Sequence, residues 1–451
     1  MKRPWIPGAM LLLLLILTAA CGEDTGPQLT YPETRKVDQV DDYFGTKVAD
    51  PYRWMENEGD PDLRAWIDAQ NKVTFDYLAQ IPYRDKIRQR LEQVYDYPKY
   101  GLPERVGEYY FFTKNDGLQN QSVIYIRKGL DGEPEVFLDP NKMSPDGTTR
   151  VRLLDASTDD RYIAYSVSEG GSDWLELRVI EIDTRQELSD RIRWAKFTGV
   201  AWHDAGFFYS GFDQPEPGKE LVAKNEYQKI FYHSLGQPQA DDRLVYEDRA
   251  HPLRYKNVDV TEDGRWLVLS VSEGTHGNEL YCRDLTQADS DFRPLITGFE
   301  HDSNVLDSVG DGLLILTNMD APNQRIVRVD PRRPAPENWT VVVPEKPETI
   351  TYAGTAAGQL FVHYLKDATS RVFQFGPDGT PVREVTFPAP GSVYGFGGHQ
   401  DDDVLFYQFA SFTIPPTIYR YDPRTGEAVV YQTTEVNFDP DLFETRQVFY
   451  T

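Results

Sequence analysis

Along most of this chain, short apolar and aromatic-rich runs of strand length are separated by polar turns. The clearest stretch is Tyr109–Gly147, YYFFTKNDGLQNQSVIYIRKGLDGEPEVFLDPNKMSPDG. It predicts strands at 109–112, 122–126 and 135–139. They are joined at Asn115-Asp116-Gly117 and Asp131-Gly132, residue types that accept positive φ in tight hairpins. Strand pairs of the same kind recur, their first members beginning at residues 109, 162, 207, 266, 313, 360 and 404. Two of them are introduced by a shared turn, Ser157-Thr-Asp-Asp-Arg161 and Thr261-Glu-Asp-Gly-Arg265. A sheet of this size cannot bury both faces alone, so seven evenly spaced units predict a ring, a seven-bladed β-propeller. An array of β-sandwiches is the competing arrangement.

One region breaks this pattern. Leu63, Trp66, Ile67, Val73, Tyr77 and Leu78 recur at helical spacing. Asp60 suits the N-cap of that helix, with Pro61 at its first position. A second helix over about 83–94 carries Ile87, Leu91 and Val94 on one face. The expected fold class is therefore mainly β, a seven-bladed β-propeller preceded by a short α-helical segment.

Composition supports this reading. The chain has 451 residues, with 27 Tyr, 23 Phe and 8 Trp, residue types that favour pleated, half-buried surfaces. Its net charge of −25 excludes nucleic acid as a partner, because that binding rests on neutralising phosphates. The excess of carboxylates serves solubility first and an attraction for cationic ligands second.

The N-terminus reads as an export signal. Lys2 and Arg3 precede the apolar run Ala9–Leu17, too short to span a bilayer comfortably. Thr18-Ala19-Ala20-Cys21 follows and resembles a bacterial lipobox, with Thr18 in place of the usual Leu. Cys21 is thus the expected lipidation site of an exported, membrane-anchored lipoprotein, periplasmic or cell-surface. An ordinary secretory signal or an uncleaved anchor is the alternative. Cys282 is then the single remaining thiol, so no internal disulfide is expected. The expected organisation is a signal peptide at 1–20, a tether at 21–32, a helical segment at 33–97, a propeller at 98–442 and a crossing segment at 443–451.

Chemistry is hard to find in these residues. The seven histidines are scattered, with no spacing that suits zinc. No phosphate-binding glycine loop occurs, and no cofactor or metal is expected. The closest approach to a nucleophile elbow, Gly170-Gly171-Ser172-Asp173-Trp174, has Trp174 where a glycine is required and leads into a strand rather than a helix.

Longer stretches do carry a resemblance. KNDGLQNQSVIYIR (114–127), LDPNKMSPDGT (138–148), SEGGSDW (168–174), KFTGVAW (196–202), VADPYRWMEN (48–57), AWIDAQN (65–71) and FETRQVFYT (443–451) resemble the prolyl oligopeptidases, serine peptidases of the S9A type. The resemblance covers about 31–451. It implies a propeller that caps an α/β-hydrolase domain and restricts cleavage to short proline-containing peptides. The helical segment would pack on that domain, whose Ser, Asp and His lie outside these residues, so no catalytic residue is expected here.

The same resemblance implies that Phe197 lines the substrate channel, with ordinary blade packing as the plain alternative. Asp173 and Trp174 would face the hydrolase domain. A reactive family cysteine aligns with Arg283, making Arg283 a second substrate-channel candidate. Cys282 falls one residue away, and in a strand that offset reverses the side chain's face. The family's Asp-Tyr-His-Gly is here Asp42-Tyr43-Phe44-Gly45. A stand-alone lipoprotein propeller acting as a binding module is the competing function.

Overall fold

The computed structural model describes residues 29–436, 439 and 442–450. The apolar run at 9–17 and Cys21 lie outside the described residues. The described residues divide into two compact units, one of 29–91 with 217–222 and one of the other described residues.

In the first unit, a hairpin pairs Val40–Tyr43 with Thr46–Ala49. Its tip places Phe44 at φ 55° and Gly45 at φ 90°, with the Gly45 N–H donating to the Asp42 carboxylate at 2.7 Å. Helix α1 (Pro61–Ala79) begins as the sequence predicts, the Asp60 carboxylate accepting from the Asp62 N–H. Leu63 is buried, while Trp66, Ile67 and Leu78 stay half-buried. The Trp66 indole donates to the Thr34 hydroxyl at 3.0 Å. Helix α2 (Arg84–Tyr95) carries Ile87, Leu91 and Val94 exposed and leads into the second unit.

The second unit is a ring of seven antiparallel blades. Blade 1 pairs Lys99–Tyr100 and Glu104–Val106 with Tyr109–Asn115, followed by Val123–Lys128 and Glu135–Leu138. Blades 2 and 3 form one continuous sheet, because the 17-residue strand Glu187–His203 is the outer strand of blade 2 and the inner strand of blade 3. Blades 4 to 7 begin at Tyr255, Ser303, Thr349 and Ser392, each with four strands. All seven strand pairs read from the sequence are the two central strands of these blades.

Alternation explains the packing. Each blade turns apolar residues to both neighbours, giving six buried clusters between successive blades from 1 to 7. The joint between blades 7 and 1 differs. There Arg105 pairs with Asp401 and Asp402, Arg127 donates to the Tyr431 hydroxyl, and Tyr110 meets Phe406 edge-on at 6.0 Å.

The shared turn, which joins the first and second strands of blade 2 and of blade 4, is a side-chain clamp. The Ser157 hydroxyl donates to Asp159 at 2.7 Å and accepts the Tyr162 N–H at 2.9 Å. Thr261, Asp263 and Trp266 repeat the arrangement at 2.6 and 3.0 Å. Gly264 takes φ 71° there, and the matching Asp160 takes φ 57°.

Each blade runs antiparallel from inner to outer strand, which gives the ring two distinct faces. Crossovers to the next blade, and links between second and third strands, emerge on one, the crossover face. Links between first and second strands, and between third and fourth, emerge on the other, the hairpin face.

Candidate functional site

The crossover face gathers the two resembling motifs of blades 2 and 3. In the strand Glu187–His203, pairing with the second strand of blade 3 breaks between Ala195 and Val200. The strand's pairing with the third strand of blade 2 also shifts between Ile192 and Ala195. The two irregularities put Trp194 at φ 59° and Phe197 at φ 52°, values that a non-glycine residue keeps only when its surroundings enforce them. The enforcement is visible. The buried Gln228 amide donates to the Lys196 carbonyl at 3.1 Å and accepts the Lys256 N–H at 2.6 Å. The Thr198 hydroxyl accepts the Ser210 N–H at 2.8 Å, and the Trp194 carbonyl accepts the Phe212 N–H at 2.9 Å.

Held in this way, Phe197 points outward and stays 52% exposed in a strand whose neighbours are largely covered. Its ring meets Tyr255, the first residue of blade 4, edge-on at 5.5 Å. The Lys196 ammonium lies 5.4 Å from the Phe197 ring and 4.9 Å from the Trp174 ring. It also stands 3.7 Å from the Asp173 carboxylate. Trp174 packs edge-on against Trp194 at 5.6 Å and Phe212 at 5.9 Å. Phe197, Asp173 and Trp174 therefore belong to one patch, tied together by Lys196. An exposed ring beside a cation offers apolar area to a side chain and a charge to a polar group. The sequence did not single out Lys196, Tyr255 or Gln228. Lys196 stands next to Phe197, but Tyr255 and Gln228 reach it only through the fold.

Arg283 is not part of this patch. It lies near the end of the third strand of blade 4, so it sits at the hairpin face. Its guanidinium approaches the Ala288 carbonyl at 3.4 Å in the following link. Cys282 beside it is 1% exposed in the apolar cluster between blades 4 and 5, and burial pushes its thiol up to about 12.

The channel along the ring axis is the second feature. A cavity of about 700 Å³ is lined by inner-strand residues of blades 2 to 6 and by the loop 397–401 of blade 7. At the hairpin face its wall is acidic. Enclosure within the channel raises Asp155 to about 7 and raises Asp259, although both side chains stay open to the channel's solvent, and burial raises Asp307. The loop between the first two strands of blade 7 reaches across this mouth. The Gln400 N–H donates to Glu262 of blade 4 at 2.7 Å, and its side-chain amide donates to Asp307 of blade 5 at 2.9 Å. The His399 ring lies 3.7 Å from Glu262, which helps push it up to about 9. The His399 carbonyl accepts the Ala357 N–H of blade 6 at 2.8 Å. Blade 7 is thus strapped over the channel to the far side of the ring. Among the described residues no cluster of His, Cys, Asp and Glu has the geometry to hold a metal ion.

A ring of seven antiparallel blades defines a β-propeller, and sequence comparison says of which family. Residues 32–434 match the family model described as prolyl oligopeptidase, N-terminal β-propeller domain, and the chain belongs to that family. It is 42% identical over 434 residues to a prolyl endopeptidase of Elizabethkingia meningoseptica, covering 96% of this chain and 61% of the relative. A dual function macrocyclase-peptidase of Galerina marginata is 29% identical over 93% of this chain and 62% of its own. A solved prolyl endopeptidase superposes with a TM-score of 0.84 at 31% identity, over 93% of this chain and 62% of that one. Prolyl oligopeptidase B of Galerina marginata, bound to a 25-residue macrocyclization substrate, superposes at 0.80 and 27% identity, over 94% and 63%. The chain thus spans about three fifths of the length of these relatives.

Proposed function

We propose that this chain is the substrate-selecting propeller portion of an exported prolyl-oligopeptidase-type serine endopeptidase that cleaves short peptides after proline. On this reading acyl transfer is performed by a Ser-His-Asp triad carried outside these residues. The propeller's part is positioning and exclusion. The observation that carries the reading is Phe197. A strained bulge, fastened by Gln228 and Thr198, holds an aromatic ring out from the crossover face beside Lys196 and Tyr255. Packing alone gives no reason to keep a phenyl ring half-exposed at positive φ.

The acidic, strapped mouth on the hairpin face supports exclusion. With Gln400 fastened across it, the channel is barred to folded proteins from that side. Asp173 and Trp174 lie in the same crossover-face patch, which supports the expectation that this face meets the hydrolase domain. Arg283, on the other face, is left without a role in substrate contact.

The test uses the complete enzyme. Phe197→Ala should lower kcat/KM for a peptide with a bulky residue ahead of the proline by about tenfold, the loss of roughly 1.4 kcal/mol of apolar contact. For a minimal substrate lacking that residue, kcat/KM should change little. Equal effects on both substrates, or none on either, would show Phe197 to be blade packing.

A further inference from the structure

The joint between blades 1 and 7 holds a cavity of about 340 Å³ to which the peptidase reading gives no role. Tyr100, Phe112 and Tyr125 wall it from blade 1, and Ile418 and Tyr431 from blade 7. Phe112 and Tyr125 stack on each other at 5.6 Å with 15° between their planes, so the two rings brace one aromatic side of the cavity. Two cations complete the lining, Lys114 and Arg127, and they differ in kind. Lys114 is matched by the Asp116 carboxylate at 2.6 Å. Among the described residues no carboxylate stands within ion-pair distance of Arg127, on which Asp131 acts only from further away; its one hydrogen bond runs to the Tyr431 hydroxyl.

The guanidinium lies 5.1 Å from the ring of Phe112 on one blade and 5.1 Å from that of Tyr431 on the other. Its Nε is buried with no hydrogen-bond partner. That nitrogen is closed off, and Nη2 is the one bonded to Tyr431, so Nη1 is the group left for a partner in the pocket. An arginine fixed between two rings presents that group with little left to order, and its charged N–H fits a carboxylate oxygen. The volume lies at the lower end of small-molecule sites, roughly 300–1,000 Å³.

We propose that this pocket binds a small ring-bearing carboxylate, its charge paired with Arg127 and its ring packed on Phe112, Tyr125 and Tyr431. Both blades supply the walls, so an occupant ties the last blade to the first. This is the joint where the ring relies on ion pairs and aromatic contacts in place of an apolar cluster. A ligand that binds only the closed joint raises the stability of the ring by mass action. The inference is independent of the peptidase reading and needs no hydrolase domain.

Benzoate is the probe, with benzamide as its neutral analogue and acetate as the charge without the ring. At ten times its dissociation constant, benzoate should raise the Tm of the full chain by about 1–2 °C. Titration calorimetry should give one site per chain. Benzamide and acetate should bind at least tenfold more weakly. Arg127→Gln should abolish benzoate binding. Should that variant fail to fold, Tyr125→Leu keeps Arg127 and removes one ring of the stacked pair, and it should weaken benzoate by about fivefold. Equal binding of benzoate and benzamide, unchanged benzoate affinity in either variant, or no saturable binding to the wild-type chain would overturn the proposal.

Discussion

At Phe197 a single backbone torsion decides what a residue is for. With φ at 52° the side chain leaves the alternation of its strand and points into solvent. A sequence pattern read at period two cannot show this, because a bulge changes the period locally. Cys282 and Arg283 show the opposite case. The alternation argument separates them correctly, one into the core and one toward the surface. Counting strands from the start of the blade also puts both near its hairpin end, information that a motif alignment discards. Cys282 yields a direct prediction. Its thiol is buried and pushed up to about 12, so it should ignore a thiol reagent at pH 8 while the protein is folded. With Cys21→Ser removing the other thiol, the native chain should titrate no sulfhydryl with a disulfide dye, and one after unfolding in guanidinium. Fast labelling of the native chain would contradict the buried assignment.

At the scale of elements, the seven strand pairs were legible because the central strands of the blades are covered on both faces by neighbouring blades and so read as short, nearly continuous apolar runs between polar turns. The Ser157 and Thr261 turns were legible for a similar reason, since each is a local clamp within a few residues. The strap over the channel was not. Gln400 finds Glu262 and Asp307 at separations of 138 and 93 residues, and nothing local marks the pairing. The acidic mouth beneath it predicts a pH effect. Asp155 is raised from 3.8 to about 7, chiefly by desolvation within the channel, although its side chain stays open to channel solvent, which works against the shift. The folded protein therefore keeps a proton that the unfolded chain releases. The stabilising contribution is full below about pH 4 and is lost as the pH rises through 7. Asp155→Asn should accordingly raise Tm at pH 8 and give a shrinking gain as the pH falls toward 4. Melting curves of both proteins across that range check this. A gain independent of pH would show that Asp155 is ordinarily solvated.

At the scale of the molecule, six joints of the ring are closed by apolar clusters, and the seventh by Arg105, Arg127 and their partners. The chain is continuous through blades 2 and 3, where one strand serves both, but blades 1 and 7 share none. The proposed carboxylate pocket sits at that joint. Helices α1 and α2 carry Trp66, Ile67, Ile87 and Leu91 half-buried or exposed. That exposure fits the expectation that the helical segment packs on a hydrolase domain, and a stand-alone binding module gives it no purpose. Export through the apolar run at 9–17 and lipidation of Cys21 complete the proposed picture. Radiolabelled fatty acid should enter the wild-type chain and be absent from Cys21→Ser.

The central claim is that these residues select substrate for a catalytic domain carried elsewhere. Its most direct test is the mass of the protein in its own cells, read on a denaturing gel with an antibody raised against the propeller. The account predicts a band well above 51.7 kDa, and an immunoprecipitate that cleaves proline-containing peptides until a serine-directed inhibitor stops it. A band at or below 51.7 kDa, with no catalytic chain in the precipitate, would contradict it and leave a propeller that binds without cutting.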